Sequence, residues 1–456
     1  IIEPADFDFY NKIKVPPPSF CPECRMMRRM TWRNERSLYK KESELSGKEI
    51  ICLYPKESKM RIYEYGEWWS DKWDAGSYAR DYDFSKPFFE QFRSLQEKVP
   101  RIPIFNIGCT NSPYANQSYQ SKNLYLCFSV TPSEDCSYCG NIGDVKNSLD
   151  LFYVWKSELL YECIDTERSY NSSFLLNSED CVNSSFLFDC KNCQECIGAV
   201  GLRNKKNVFW GEQLSSEEYK KRKQGIDAGS FAEQIKNIDR FLKMILKFPR
   251  RAARLKNCVS STGDFLRDCK NAHNCFGGYD LENSRYTVRF YGVKDSSDNY
   301  GLGSGQLAYE TIGSEEIYNV KFSNVVDPSK DLSYCDLCFN CSDCFACIGL
   351  RNKQYCILNK QYSKEEYSAL VPRIIEHMNT MPYTDKKGRV YRYGEFFPPE
   401  LSPFCYNETI AQEYFPLTKE QAIEQGYSWK DPEKRNYQVT ISNDQLPDNI
   451  KDVPDD

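Results

Sequence analysis

The chain of 456 residues carries a formal net charge of -5 and has an isoelectric point of about 5.6, which argues against a general polyanion-binding protein. Its longest apolar runs, such as 124–130, are far shorter than the roughly 18 to 20 residues that a membrane span needs, so no membrane partner is expected. Tyrosine (32 residues) and phenylalanine (27 residues) are abundant, and aromatic rings are therefore expected to supply much of the buried apolar area.

Residues 1–48 are predicted to hold half of a zinc ribbon, followed by a basic helix. Cys21 and Cys24 form a Cys-x-x-Cys pair, which supplies two of the four thiolate ligands of a structural zinc site. Cys52 is the only other cysteine before Cys109, so the second pair of ligands is expected upstream of Ile1 or in another flanking segment. We therefore predict zinc as the cofactor and Cys21 and Cys24 as metal ligands.

The segment after this pair is strongly basic. Residues 21–41 contain seven arginine and lysine residues and only two glutamates, and four of the arginines recur at helical spacing, which predicts a stripe on one face of a helix. Because a guanidinium group binds phosphate through two hydrogen bonds, such a stripe suits nucleic acid. The alternative is an arginine face that forms salt bridges with the acidic remainder of the chain. The candidate nucleic-acid-binding residues are Arg25, Arg28, Arg29, Arg33 and Arg36.

Residues 49–105 are predicted to be an aromatic linker that ends in a capping helix. Asp83 or Ser85 is a suitable N-cap, and Pro87 suits the first turn of a helix. The helix is expected to stop before Pro100 and to turn its apolar residues inward, namely Phe88, Phe89, Phe92 and Leu95.

Two arrays with a period of about twelve residues follow, at 106–211 and at 252–361. Turn-prone polar pairs such as Lys122-Asn123 and Glu134-Asp135 alternate with short apolar, aromatic-rich segments. This pattern predicts a parallel β-solenoid in two blocks. In the first array the polar pairs keep the spacing of twelve except near its middle, where two steps are of about eleven and ten residues.

The two blocks are read as copies of one duplicated unit. Gly201-Leu202-Arg203-Asn204-Lys205 recurs as Gly349-Leu350-Arg351-Asn352-Lys353, and from the shared leucine onward the offset is constant at 148 residues. A helical insertion is predicted at 212–251, and a helix at 362–382 occupies the matching place after the second block. Residues 383–456 are predicted to form an extended C-terminal strap. The fold class is therefore mainly β, with helical insertions and an N-terminal zinc-ribbon remnant.

A ladder of cysteines at a spacing of three leads into each shared motif. That spacing fits neither a strand nor a helix, so the thiols are expected at tight corners or in a three-fold extended path. Three interpretations of the ladder compete: the cysteines are small buried packing residues, they bind an iron–sulfur cluster, or they store soft metals. Ala272, midway between Cys269 and Cys275, favours packing. The structural ladder comprises Cys190, Cys193, Cys196, Cys335, Cys338, Cys341, Cys344 and Cys347.

Several segments together resemble one family, that of uncharacterised bacterial proteins described as cysteine-rich or zinc-ribbon-containing. They are 15–38, Phe248-Pro249-Arg250-Arg251, the paired Leu-Arg-Asn-Lys segments and 406–417, and the similarity covers nearly the whole chain. The resemblance implies a bacterial protein, expected in the cytoplasm, and a zinc-ribbon role for Cys21 and Cys24, but no activity. Members usually carry a further Cys-x-x-Cys before the segment matching 1–10 and a second ribbon beyond the C-terminal segment, so the zinc site is expected to be incomplete in this chain.

The sequence offers few residues for catalysis. His273 and His377 are the only histidines, so a dyad of cysteine or serine with histidine has few possible members. The leading hypothesis is a non-enzymatic scaffold that presents zinc ribbons and binds nucleic acid or ribonucleoprotein through its basic N-terminal segment. The alternatives are a protein-interaction module with an aromatic solenoid face and a thiolate metal-binding or storage protein.

Overall fold

The protein was analysed as a computed structural model, which describes residues 4–433 and 441–454. The chain divides into two compact units. Unit 1 comprises Ile1–Pro103 and Arg251–Asp431, and unit 2 comprises Ile104–Arg250 and Pro432–Asp456. Each unit contains one block of parallel β-solenoid, which confirms the predicted fold class.

The elements follow one another along the chain in three stretches. Unit 1 begins with α1 (Pro4–Ile13), α2 (Pro22–Met30), β1 (Tyr39–Glu42), β2 (Glu49–Cys52), α3 (Tyr65–Trp69) and α4 (Phe88–Gln96). Unit 2 continues with β3 (Asn106–Ile107), β4 (Asn116–Tyr119), β5 (Lys122–Tyr125), β6 (Phe128–Val130), β7 (Glu134–Ser137), β8 (Gly140–Glu167), β9 (Tyr170–Leu176), β10 (Ser185–Phe188), β11 (Gln194–Val200), β12 (Lys206–Phe209), β13 (Glu212–Gln213), α5 (Ser216–Gln224) and α6 (Phe231–Leu246). Unit 1 resumes with β14 (Leu255–Lys256), β15 (Gly263–Arg267), β16 (Lys270–His273), β17 (Cys275–Lys294), β18 (Ser297–Gly303), β19 (Tyr309–Glu315), β20 (Ile317–Tyr318), β21 (Lys321–Ser333), β22 (Asp336–Phe345), β23 (Gln354–Ile357), β24 (Lys360–Gln361), α7 (Lys364–Thr380), β25 (Tyr383–Thr384), β26 (Val390–Tyr391), α8 (Ile410–Tyr414) and α9 (Lys419–Glu424).

The solenoid is built from tripeptides. The first residue of each tripeptide has a positive φ, as at Asn123 (54°), Leu126 (50°) and Ser129 (58°). The second residue points into the solenoid, so every third side chain is buried, and the third residue faces outward. Four tripeptides complete one coil of twelve residues. The spacing of three that the cysteines show is therefore the period of the inward position. The expectation of thiols at the corners is wrong, because the corner is the residue before each cysteine, and the alternative of a path with a period of three residues describes the solenoid. The inward residues after the three named corners are Leu124, Cys127 and Val130.

Successive coils pair in parallel at a register of twelve residues, except in the first coil of block 2, where Leu255 pairs with Leu266 at a register of eleven. In block 1, Glu134 pairs with Lys146 and Glu158 pairs with Tyr170. In block 2, Arg285 pairs with Ser297, which pairs with Tyr309. The irregular steps between polar pairs in the first array therefore leave the register unchanged, and only the place of the polar residues around the coil varies.

Outward-facing corners carry ladders of amide and carboxylate side chains. Asn123 donates its side-chain amide to Asp135 (2.7 Å) and accepts one from Asn111 (2.9 Å). Asn171 donates in the same way to Asn183 (2.8 Å). Asparagine and aspartate adopt positive φ more readily than most residues, so these corners combine backbone preference with a hydrogen bond between coils.

Helices cover one side of each block. In unit 1, α4 follows its N-cap Pro87, and the ring of Phe88 packs against Tyr334 at a centroid distance of 5.1 Å. In unit 2, Phe241 of α6 packs against Phe186 at 5.8 Å. Apolar contact between helix and solenoid is thus a property of both units.

The C-terminal residues are shared between the units. Residues 383–431 belong to unit 1, whereas 441–454 belong to unit 2, where Asp448 accepts hydrogen bonds from the hydroxyl of Ser230 and the backbone N–H of Ala232. The part of the predicted strap at 434–440 lies outside the described residues. Among the helices that the structure describes, none is long and apolar enough to cross a membrane.

Candidate functional site

The arginines of α2 lie in the interior of unit 1, against block 2. Arg25 forms a two-pronged salt bridge with Asp298, with nitrogen–oxygen distances of 2.9 and 2.8 Å. Arg29 donates to Glu310 at 3.0 Å and to Asp298 at 3.4 Å. The side chains of Arg25 and Arg29 expose at most 1% of their surface. The charge that the sequence suggested for phosphate is therefore neutralised by carboxylates.

Arg28 completes the cluster with a third acid. Its guanidinium donates to Glu395 (3.0 Å) and to Glu310 (3.3 Å). Burial by itself lowers the pKa of Arg28, but Glu310 and Glu395 more than offset that effect and the pKa lies above its ordinary value. Burial also raises the pKa of Glu310, against the opposing influence of Arg28 and Arg29. Three guanidinium groups thus face three carboxyl groups in a space closed to solvent.

The solenoid brings the two main acids together. Asp298 and Glu310 both occupy corner positions, with φ of 59° and 49°, and they are twelve residues apart. They therefore lie one above the other on adjacent coils, separated by the strand spacing of about 4.8 Å. Tyr286 lies one coil before Asp298 at the same corner, and Arg25 lies over its ring at 5.8 Å. We call this stack of corner residues the acidic corner of block 2.

Arg33 and Arg36 lie beyond the helix. The sequence placed Arg25, Arg29, Arg33 and Arg36 on one helical stripe, but α2 ends at Met30 because the chain turns there to bury Trp32, which stacks on Phe397 at 4.5 Å. The predicted stripe is therefore wrong in its second half. Arg33 pairs with Glu35 at 2.7 Å, and Arg36 pairs with Glu413 at 3.3 Å.

Cys21 and Cys24 are both exposed at the start of α2. Cys21 is the N-cap residue, and its sulfur accepts a hydrogen bond from the backbone N–H of Cys24 at 3.4 Å. That hydrogen bond lowers the pKa of Cys21, which favours the thiolate that a metal requires. The two thiols fit half of a tetrahedral zinc site. Among the residues that the structure describes, no group of three or more potential ligands is arranged to hold a metal ion.

The cysteine ladder occupies inward positions of the solenoid. Cys341 illustrates its contacts: its sulfur lies 3.4 Å from the carbonyl oxygen of Phe339 and 3.6 Å from that of Leu350. Ser329 fills the same place one coil earlier, where its hydroxyl accepts from the backbone N–H of Cys341 at 3.2 Å. The hydroxyl accepts from a backbone N–H and the thiol donates to backbone carbonyl oxygens, so both satisfy backbone groups that face the interior. The inward cysteines of the ladder are Cys190, Cys193, Cys196, Cys335, Cys338, Cys341, Cys344 and Cys347, and all of them are buried and free.

Two inward thiols outside the ladder show the effect of burial in the solenoid. Burial raises the pKa of Cys163 and of Cys275 to about 12 in each case. Cys335, Cys338, Cys341 and Cys344 fill all four inward positions of one coil, the highest local density of thiols in the solenoid. The hydrogen bonds to carbonyl oxygens favour the packing interpretation of this coil.

Block 1 exposes aromatic side chains along one side. Tyr125 contacts Tyr114 at a centroid distance of 5.8 Å and Tyr138 at 5.6 Å, both edge to face. Each of the three exposes more than a third of its surface, and Tyr138 exposes 52%. Leu149, on the next coil, is also exposed. We call Tyr114, Tyr125 and Tyr138 the aromatic row.

The acids that bind the arginines were not predicted from the sequence. Asp298, Glu310 and Glu395 lie more than 260 residues from α2 along the chain. A signal was nevertheless present: the 148-residue offset between the blocks pairs Asp298 with Asp150 and Glu310 with Glu162, two stacked acids that recur in both copies.

No family model matches the chain, and a search of curated proteins finds no match. The arrangement of its own residues is therefore what bears on function.

Proposed function

We propose that the protein is a non-enzymatic β-solenoid scaffold that binds another protein through the aromatic side of block 1. The observation that carries this proposal is the contrast between two surfaces. Arg25, Arg28 and Arg29 are buried and paired with acids, whereas the aromatic row is exposed.

Tyrosine-rich surfaces of this kind suit protein binding. A tyrosine ring supplies a large contact area at a small loss of conformational entropy, and its hydroxyl group can hydrogen-bond at the rim of an interface. Tyrosine is also enriched among the residues that contribute most to binding energy. The edge-to-face contacts at 5.8 and 5.6 Å hold the three rings in place before a partner arrives, which reduces the cost of ordering them.

Nucleic-acid binding through the N-terminal segment stays a prediction, and burial of the α2 arginines weighs against it. Phosphate contacts by Arg25 or Arg29 require the exchange of a buried carboxylate partner for a phosphate. Arg33 and Arg36 already pair with Glu35 and Glu413. A binding assay with RNA at increasing salt tests this hypothesis, because phosphate contacts weaken steeply with ionic strength.

Zinc binding at Cys21 and Cys24 is proposed as a separate, structural property. The two thiols would supply two ligands, and a zinc ion there would fix the entry to α2. Mass spectrometry of the native protein after incubation with zinc is expected to show one ion bound, and a Cys21→Ser, Cys24→Ser variant is expected to bind none. Equal zinc content in both proteins would refute the assignment.

The protein-binding proposal is tested with two matched variants of unit 2. The first, Tyr125→Ser with Tyr138→Ser, removes the centre of the aromatic row. The second, Tyr119→Ser with Tyr170→Ser, removes two tyrosines that are exposed to a similar degree, 45% and 46%, but make no ring contact with the row. The tagged protein is cross-linked in extract after nuclease treatment, the partner is identified and purified, and its affinity is measured for each variant.

The aromatic-row variant is expected to lose at least tenfold in affinity, since two central tyrosines are removed. The control variant is expected to stay within about twofold of the wild type. Equal loss in both variants, or a partner that is nucleic acid, would refute the proposal.

A further inference from the structure

The duplication places a second acidic corner in block 1. Counting back 148 residues from the acidic corner of block 2 gives Asp150 for Asp298, Glu162 for Glu310 and Tyr138 for Tyr286. Asp150 and Glu162 have positive φ of 56° and 53°, like their counterparts. They therefore stack on adjacent coils in the same way. We call Asp150 and Glu162 the acidic pair of block 1.

The surroundings of the two corners match as well. Tyr161 and Ile164 of block 1 correspond to Tyr309 and Ile312 of block 2, with the same residue types. Phe152 corresponds to Tyr300, which keeps an aromatic ring. In each block these residues flank the acids on the outer surface. The likeness thus extends to the apolar rim of the site, beyond the two carboxylates.

The two corners differ in what covers them. In block 2, α2 packs against β18 and β19, and its arginines neutralise both acids. Tyr309 there is fully buried beneath α1, with the rings of Phe9 and Tyr10 at 5.8 and 5.6 Å. The block 2 corner is therefore a filled binding site for an arginine-bearing helix.

In block 1 the same site is open. Glu162 is exposed and Asp150 is half-buried, and neither carboxylate forms a salt bridge with any residue that the structure describes. Partial burial, together with the charge of Asp150, raises the pKa of Glu162. Ile164 exposes 43% of its surface, whereas its counterpart Ile312 exposes 1%. Asp150 and Glu162 thus place two negative charges without a salt bridge on an apolar surface, whereas the corresponding surface of block 2 is buried.

The same stack of corner residues continues from the acids to aromatic residues, and a helix covers this aromatic end in both blocks. In block 1, α6 covers Phe186, and in block 2, α4 covers the corresponding Tyr334. Both blocks therefore provide a helix for the aromatic end of the stack. Among the helices that the structure describes, only α2 covers an acidic end, and it does so in block 2.

We propose that the acidic pair of block 1 is a docking site for a helix of a partner protein that carries two arginines four residues apart. Arg25 and Arg29 show the required spacing, because these two residues bind the acids that correspond to Asp150 and Glu162. Arg28 also uses Glu395, which lies outside the repeated block, so a counterpart of Arg28 is not required. The proposal rests on the protein-binding function above and specifies the chemistry of the partner.

A partner protein is a better occupant than a second copy of this chain. The α2 helix of every copy is already held by three carboxyl groups in its own interior. Its release would break these buried ion pairs and expose the apolar surface around them, which is strongly unfavourable. Nucleic acid is excluded at this site by charge, since Asp150 and Glu162 repel phosphate.

The test uses the full chain and a fluorescently labelled synthetic peptide. The peptide has the sequence of residues 19–33 with Cys21→Ser and Cys24→Ser, so that it presents the arginines without thiols. Fluorescence anisotropy is expected to show saturable binding. Asp150→Asn with Glu162→Gln in the protein is expected to weaken binding at least tenfold, because charged pairs in a desolvated contact contribute strongly.

Two controls keep the result specific. In the protein, Glu167→Gln with Glu179→Gln removes the same charge from another pair of residues twelve apart in block 1 and is expected to leave affinity within twofold. In the peptide, Arg25→Gln with Arg29→Gln is expected to abolish binding, whereas Arg28→Gln is expected to reduce it less than threefold.

Several results would overturn the proposal. One is the absence of saturable peptide binding, and another is an equal loss of peptide affinity in both acidic variants of the protein. A third is full affinity in the Asp150→Asn, Glu162→Gln variant, which would indicate that the peptide replaces α2 in block 2. If the peptide fails but Tyr125→Ser with Tyr138→Ser still abolishes binding of the purified partner, the protein-binding function stands and only the arginine-helix chemistry is refuted.

Discussion

Substitution of Glu310 by glutamine is expected to destabilise unit 1 severely, whereas the same substitution at Glu162 is not. Glu310 is fully buried and accepts hydrogen bonds from Arg29 at 3.0 Å and from Arg28 at 3.3 Å. With glutamine there, three buried guanidinium groups face only Asp298 and Glu395. One positive charge is then left without a counter-charge in the interior.

The expected loss is about 3 kcal/mol in the free energy of unfolding, the lower end of the range for breaking a buried ion pair. The lower end applies for two reasons. Glutamine keeps one carbonyl oxygen for Arg29, and burial already raises the pKa of Glu310. At Glu162, which is exposed, the effect is expected to stay within about 0.5 kcal/mol and to favour stability slightly, since repulsion with Asp150 is relieved.

The assay is hydrogen exchange followed by mass spectrometry, because a chain with two solenoid units need not unfold in one step. Peptides that cover α2 (Pro22–Met30) are expected to exchange at least tenfold faster in Glu310→Gln. They are expected to be unchanged in Glu162→Gln. Equal protection of α2 in both variants would refute the reasoning, since it would mean that Glu310 carries no charge that the arginines need.

Three further predictions follow from the solenoid. Leu159 has a φ of 56° and interrupts a ladder of corner asparagines between Asn147 and Asn171. Leu159→Asn is therefore expected to stabilise unit 2 by about 0.5 to 1 kcal/mol, measured as a rise in the melting temperature. Leu159→Ala is the control and is expected to give no such rise. Cys341→Ser is expected to lower the free energy of unfolding by less than about 1 kcal/mol and to leave the metal content unchanged, because Ser329 already occupies the equivalent position one coil earlier. Loss of a bound metal in mass spectrometry would contradict this. Burial, with the charges of Glu315 and Glu316, raises the pKa of Asp327 from 3.8 to about 7. Its contribution to stability is therefore fully present below pH 3.8 and is lost as the pH rises through 7. Asp327→Asn is thus expected to melt like the wild type at pH 4 and to gain about 1 kcal/mol above pH 7, after allowance for solvent screening; a gain that is independent of pH would argue against the shifted carboxyl group.

The repeat period of the solenoid could be predicted from the sequence, but the burial of the α2 arginines against carboxylates could not. Cysteines three residues apart mark the inward position, because each coil buries one side chain in three and a thiol fits there as well as leucine or valine does. The burial of Arg25 and Arg29 depends on contacts with Asp298 and Glu310, which lie far away in the chain. A basic stripe looks the same in sequence whether it faces phosphate or carboxylate. The residue at which α2 ends could not be predicted either, since it depends on the packing of Trp32 against Phe397.

The tripeptide construction also limits how the length of the chain can change during evolution. Loss or gain of one residue within a block has to be absorbed in a local irregularity, as in the first coil of block 2, where Leu255 pairs with Leu266 at a register of eleven residues. Without such an irregularity, every later inward side chain would turn to the surface. A change of three residues would keep the interior intact but would shift each later corner by a quarter of a coil, so that Asp150 would no longer lie beneath Glu162. Whole coils of twelve residues can be added or removed without disturbing either. We therefore expect length variation among relatives of this chain to occur within the blocks in steps of twelve, and freely only in the helical segments between them.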